Sequence, residues 1–238
     1  MNYQYLLALF VFCALFVIGI YAMKYFRNHK LFNAIFIAVV YVSYLLLVYT
    51  TYKTDTDPTR WNFLNTMPFA NVSPFMFSIM PLLLILPKKI KAPLYFLVCL
   101  LTVGMFFATV LGCIGNALRG YRFHWHFMLD YLAHTVLALF GIYLVRTNQV
   151  KPNGKNFIKS ASIIYVVATI MLLVNVIFDK SFFGLSLNGK HNIYNMVLVD
   201  NSYLSALIYY LGVSIVLSLG YALCKLFAKD KYCISNYA

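Results

Sequence analysis

Glutamate is absent from this chain of 238 residues, and aspartate occurs only six times. Charged residues make up 11% and apolar ones 63%, too little polar surface to coat a soluble domain. Cysteine is equally unhelpful to an extracellular scaffold. Cys13, Cys99, Cys113, Cys224 and Cys233 fall in apolar runs or beside basic segments, with no pair in an outer loop, so no disulfide framework is implied. No convincing internal repeat occurs, which weakens any analogy to inverted-repeat transporters. Residues 1–23 lack a basic leading region and a small-x-small cleavage site, and the positive charges follow the apolar run; this segment is expected to stay as a first helix.

What the chain has is seven apolar runs of 19 to 24 residues, at 5–23, 31–52, 68–86, 92–115, 127–145, 160–178 and 203–226. Each is long enough to cross a hydrocarbon core of about 30 Å as a helix. A spanning segment must satisfy its own backbone, and these runs are twice the length of a barrel strand, so helices are expected. The predicted fold class is an all-α membrane protein, a single domain of seven transmembrane helices.

Positive charge resists translocation, which orients the bundle. Thirteen Lys and Arg residues lie in the connections after spans 1, 3 and 5 and in the tail, against six on the other side, Lys53, Arg60, Arg119, Arg122, Lys180 and Lys190. This places the N-terminus outside and the C-terminus in the cytoplasm. The formal charge of +13 is thereby explained by membrane anchoring and anionic lipid, and nucleic acid is not an expected partner. The outer connections 53–67 and 179–202 are long, 15 and 24 residues, and hold Asp55, Asp57, Asp179 and Asp200. The second also carries Phe182, Phe183, Gly184 and Tyr194, so it reads either as a cover over an outward pocket or as an aromatic loop resting at the interface.

One stretch can carry chemistry. His126, Asp130 and His134 in span 5 recur every four residues and form one stripe about 80° wide, with Asp130 roughly 10 Å below the outer boundary and His134 near mid-bilayer. Asp130 is the only acid in any span. An ionisable group at that depth is a candidate functional residue with a partner inside the bundle. A carboxylate beside imidazoles holds one of them in a defined tautomer as a general base, so His126, Asp130 and His134 are the candidate catalytic residues. The same stripe also reads as hydrogen-bonded packing, or as a partial metal site. The metal reading is the weaker, because one helix supplies only some of the ligands and no complementary His or Cys cluster occurs, and neither metal nor cofactor is expected.

Arg119 and Arg122 at the same mouth are suited to clamp a phosphate or carboxylate. A second polar group opens span 3, where Asn65, Asn71 and Ser73 lie among Pro68 and Pro74. Asn71 and Ser73 are candidate substrate-binding residues, because prolines there free carbonyls and often mark a cavity wall. The alternative is that they only repair the broken ladder. In span 4, Gly104, Ala108 and Gly112 repeat every four residues and predict a close helix contact.

The overall topology, the Pro68-Phe-Ala-Asn71-Val-Ser73 entry to span 3, the Gly104-Met pattern of span 4 and the His126 to His134 entry to span 5 resemble a family of bacterial seven-helix membrane proteins named for YwaF. The resemblance implies a multi-pass protein of the bacterial plasma membrane. That family is distantly similar to a eukaryotic membrane acyltransferase that remodels phospholipids, in which a cysteine near the start of helix 3 is implicated. Phe69-Ala70-Asn71 has none, which counts against an acyl-cysteine mechanism, and Cys113 is a weak substitute.

Three functions stay open: a lipid-handling enzyme of acyltransferase type with an outward pocket, a small transporter or proton-coupled permease using the stripe as a relay, and a non-catalytic subunit or receptor. Membrane lipids are the expected partners, with a homo-oligomer or a partner membrane subunit left open. A retinal photoreceptor is excluded, because span 7 has no lysine before Lys225.

Overall fold

The computed structural model describes residues 2–26, 28–54, 66–178, 182 and 202–229. Most of the two long outer connections, with Asn65, Gly184 and Tyr194, lies outside the described residues. Among the described residues the regular structure is all helical: α1 (Tyr3–Ala22), α2 (His29–Thr54), α3 (Val72–Ile79), α4 (Leu82–Ile85), α5 (Lys88–Leu118), α6 (Trp125–Arg146), α7 (Gly154–Phe178) and α8 (Ser202–Lys229). Six of these are long and apolar enough to cross a membrane.

The third apolar run is not one continuous helix. Pro81 has no N–H to give to the Phe77 carbonyl, so the ladder breaks, and Met80 N donates to that carbonyl at 3.4 Å in a tighter turn. The result is an eight-residue α3 and a four-residue α4, closed by an extended Leu86 ahead of Pro87. Residues 66–71 before α3 are irregular, yet Thr66 is buried and its carbonyl accepts from Tyr44 Oη at 2.9 Å. Irregular backbone within a membrane is tolerated only where protein or a cavity covers it.

α6 is the centre of the bundle, packed by α1, α2, α5 and α8. From Ala133 to Val145 every residue of α6 is buried, so this stretch meets protein on all sides. Glycines let its neighbours come close. A Cβ on Gly141 would meet Thr102 Oγ1 and stand 2.9 Å from the Val98 carbonyl of α5; a Cβ on Gly220 of α8 would meet the Leu100 carbonyl of the same helix. α5 is thus gripped from both sides at one level.

The expected Gly104, Ala108 and Gly112 face is corrected here. Gly104 meets Val216 of α8, Gly112 meets Tyr131 of α6, and Ala108 is exposed. The four-residue repeat drifts about 40° per step, so over two repeats it passes from one neighbour to the other.

Polar contacts sort the helix ends into two groups. Asn2 N donates to Ala117 O at 3.0 Å, and Tyr5 Oη donates to Arg122 O at 3.0 Å. At the other end Arg146 donates to Ile20 O at 3.1 Å, and His29 Nδ1 pairs with Tyr143 Oη at 2.9 Å. α1 and α6 therefore run one way and α2 and α5 the other, so that the short connections from α1 to α2 and from α5 to α6 each join antiparallel neighbours.

Candidate active site

Asp130 and His134 lie one turn apart in the N-terminal half of α6, and α3 brings Ser73 against them. His134 Nε2 is 2.8 Å from Ser73 Oγ. Its other nitrogen, Nδ1, is 2.8 Å from the Asp130 backbone carbonyl and 3.3 Å from the Asp130 carboxylate. A carbonyl oxygen only accepts, so Nδ1 carries a proton. In the neutral ring Nε2 then holds the lone pair, and the Ser73 hydroxyl donates to it. A hydroxyl, an imidazole and a carboxylate stand in series, the order of a serine nucleophile, its base and its orienter.

The local sequence explains how each member is held. Ser73 is the second residue of α3, and Phe77, one turn on, sets its ring edge against His134 at 5.0 Å and 87°. Phe77 is fully buried, which fixes the plane of the imidazole. The rotation of α6 is fixed on its α5 side, where Thr109 Oγ1 reaches both Thr135 Oγ1 at 3.3 Å and the Tyr131 carbonyl at 3.4 Å. Asn116 donates to Tyr131 Oη at 2.7 Å.

The head of α3 adds polarity without closing it. Asn71 is the N-cap, extended and half-buried, and its side chain makes no capping bond. The ladder starts with Phe75 N donating to Asn71 O at 3.1 Å. Pro74 has no N–H, so the amides of Val72 and Ser73 are the donors that the helix itself leaves unused. The His134 side chain is 7% exposed but that of Asp130 is 15% exposed, so the site opens past Asp130 rather than being sealed.

The other expected residues fall elsewhere. His126 is buried, stacked on His124 at 5.3 Å and 12°, and its Nε2 has no hydrogen-bond partner. It shares the stripe but is two turns from His134. Arg119 and Arg122 are both exposed; the Arg119 guanidinium lies over the Tyr121 ring at 5.9 Å. Cys113 packs in an apolar cluster with Tyr5, Phe12 and Tyr131. Among the described residues no three His, Cys, Asp or Glu side chains gather as a metal site.

Sequence reasoning placed Ser73 on a cavity wall and missed its pairing with His134. The available signal was the equal depth of Ser73 and Asp130, together with a proline on each side of the serine. It also missed a polar layer at the opposite end of α6. There Asn33 Nδ2 donates to Gln149 Oε1 at 2.7 Å, with Tyr95 Oη 3.5 Å away, and His29 meets Tyr143.

A model described as the TMEM164 family matches residues 1–226, and the chain belongs to that family of membrane proteins. No curated protein and no solved structure matches it.

Proposed function

We propose that this multi-pass membrane protein moves acyl groups between lipids, with Ser73 as nucleophile, His134 as general base and Asp130 as orienter. The observation that carries the reading is the 2.8 Å contact between His134 Nε2 and Ser73 Oγ, with the Asp130 carbonyl and carboxylate on the far nitrogen. Ser73 Oγ attacks the carbonyl carbon of a lipid ester and passes its proton to Nε2. The bond to the leaving alcohol breaks, and that alcohol takes the proton from Nε2, leaving an acyl-serine. A second alcohol then attacks the acyl-serine, giving its proton to Nε2, and Ser73 leaves with that proton. The unused amides of Val72 and Ser73 sit on the same turn as the nucleophile, where they are suited to stabilise the developing oxyanion.

The reading includes seven crossings, the third made by residues 68–86 with its helix interrupted at Pro81, and the N-terminus outside. On this reading the site, with His134 about 13 Å along α6 from Trp125, belongs to the outer half of a plasma membrane, taken as bacterial, and its partners are membrane lipids. The resemblance read from the sequence, to a family distantly similar to a phospholipid-remodelling acyltransferase, points to the same chemistry. Where its cysteine is missing at 69–71, Ser73 supplies a hydroxyl two residues on. A transport relay has less support. Between His134 and Tyr143, α6 carries no titratable side chain to pass a proton on, and Leu137, Ala138 and Phe140 are buried there.

Lipid composition of cells expressing the wild type, Ser73→Ala and Asp130→Asn tests the function. A changed acyl profile in the wild type that both variants lose is expected. Identical lipids in all three would remove the enzyme reading.

A further inference from the structure

The imidazole of His126 is a buried, titratable group that the chemistry above does not use. His126 is 9% exposed, and its Nε2 has no hydrogen-bond partner. Leaving such a nitrogen dry costs stability, and a buried polar atom without a partner calls for an explanation. Packing alone does not supply one: the ring stacks on His124 and lies against Phe127 at 4.2 Å, and both contacts would suit a phenylalanine as well.

Position suggests what the nitrogen is for. His126 is on the same stripe as Asp130 and His134, eight residues and about 12 Å from the base along α6. It therefore cannot reach an ester carbonyl held at Ser73. It lies between the reacting centre and the end of the bundle that carries Arg119 and Arg122. An amphiphile whose ester is at Ser73 and whose acyl chain runs into the bilayer has its polar headgroup on that side. We infer that His126 is a specificity-determining residue of this site, whose Nε2 hydrogen-bonds an oxygen of the lipid headgroup.

The inference rests on the acyl-transfer reading, and its test separates the two. Binding is measured without chemistry, in detergent-solubilised full-length Ser73→Ala protein, from the shift in melting temperature on titrating lysophosphatidylglycerol or the headless ester methyl palmitate. Adding His126→Phe should weaken lysophosphatidylglycerol by about tenfold, the worth of one good hydrogen bond, and methyl palmitate by less than about twofold. His126→Gln keeps a hydrogen-bonding end and is expected to fall between, which also guards against misfolding of the phenylalanine variant. Equal weakening of both ligands, or no weakening of either, would overturn the inference. So would loss of fluorophosphonate labelling of Ser73 in otherwise wild-type His126→Phe protein as complete as in His134→Ala, because His126 would then belong to the proton machinery. Failure of wild-type Ser73 to label at all would instead sink the acyl-transfer reading, whatever the headgroup preference.

Discussion

α6 carries a polar layer in each half, and the two are built differently. In the layer at the C-terminal end of α6, His29 pairs with Tyr143 and Asn33 bonds Gln149 and Tyr95, and none of their buried polar atoms lacks a partner. In the layer of its N-terminal half Ser73, Asp130 and His134 form a directed series, Asp130 stays partly open, and His126 keeps a bare nitrogen. A closed network fixes helix positions, whereas an open one with unused donors is suited to receive something. The difference separates structural from functional polarity within one membrane helix, where composition alone treats both as costly.

The sharpest way to break the comparison is to remove the nucleophile. Ser73→Ala should lower acyl transfer by about 10³-fold or more while leaving the melting temperature nearly unchanged, and adding His134→Ala should cost little further, because the members of such a unit are not additive. Turnover of a fluorescent lipid ester by the single and double variants checks this. Asp130→Asn should cost less, about 10- to 100-fold, because the backbone carbonyl of residue 130 still holds the His134 tautomer when the carboxylate is gone. A loss as large as that of Ser73→Ala would mean that the carboxylate contact at 3.3 Å matters more than the backbone one.

Scaffold changes should act on stability instead. Gly220→Ala drives a methyl into the Leu100 carbonyl and is expected to cost about 1–3 kcal/mol, read as a lower melting temperature in detergent. The smallest effect is expected in the layer at the C-terminal end of α6. Gln149→Ala removes the 2.7 Å bond from Asn33 and should cost about 0.6–1.7 kcal/mol, with turnover of the same ester within twofold of wild type. A large loss of activity there would erase the distinction between the two layers.

The apolar runs were legible because a hydrocarbon core demands about 20 apolar residues, and six of the seven emerge as long helices. The third did not, although its cause is written in the sequence: Pro81 follows thirteen residues of a run whose hydropathy hides it. The Asp130 and His134 half of the site was legible too, since acids in spans are rare and helical spacing is fixed. Its other half was not, because Ser73 lies 61 residues away and only the irregular descent of residues 66–71 brings it to His134. The layer at the C-terminal end of α6 was hidden for a similar reason, as Asn33 and Gln149 sit at helix ends, where polar residues ordinarily mean only the membrane boundary.

The central claim is that His134 activates Ser73, and covalent labelling tests it most directly. Full-length protein in detergent is exposed to a fluorophosphonate and the adduct is located by mass spectrometry. An adduct on Ser73 in the wild type, lost in His134→Ala at unchanged melting temperature, is the expected result. A folded wild-type protein that stays unlabelled at Ser73, or one that labels equally well without His134, would contradict it.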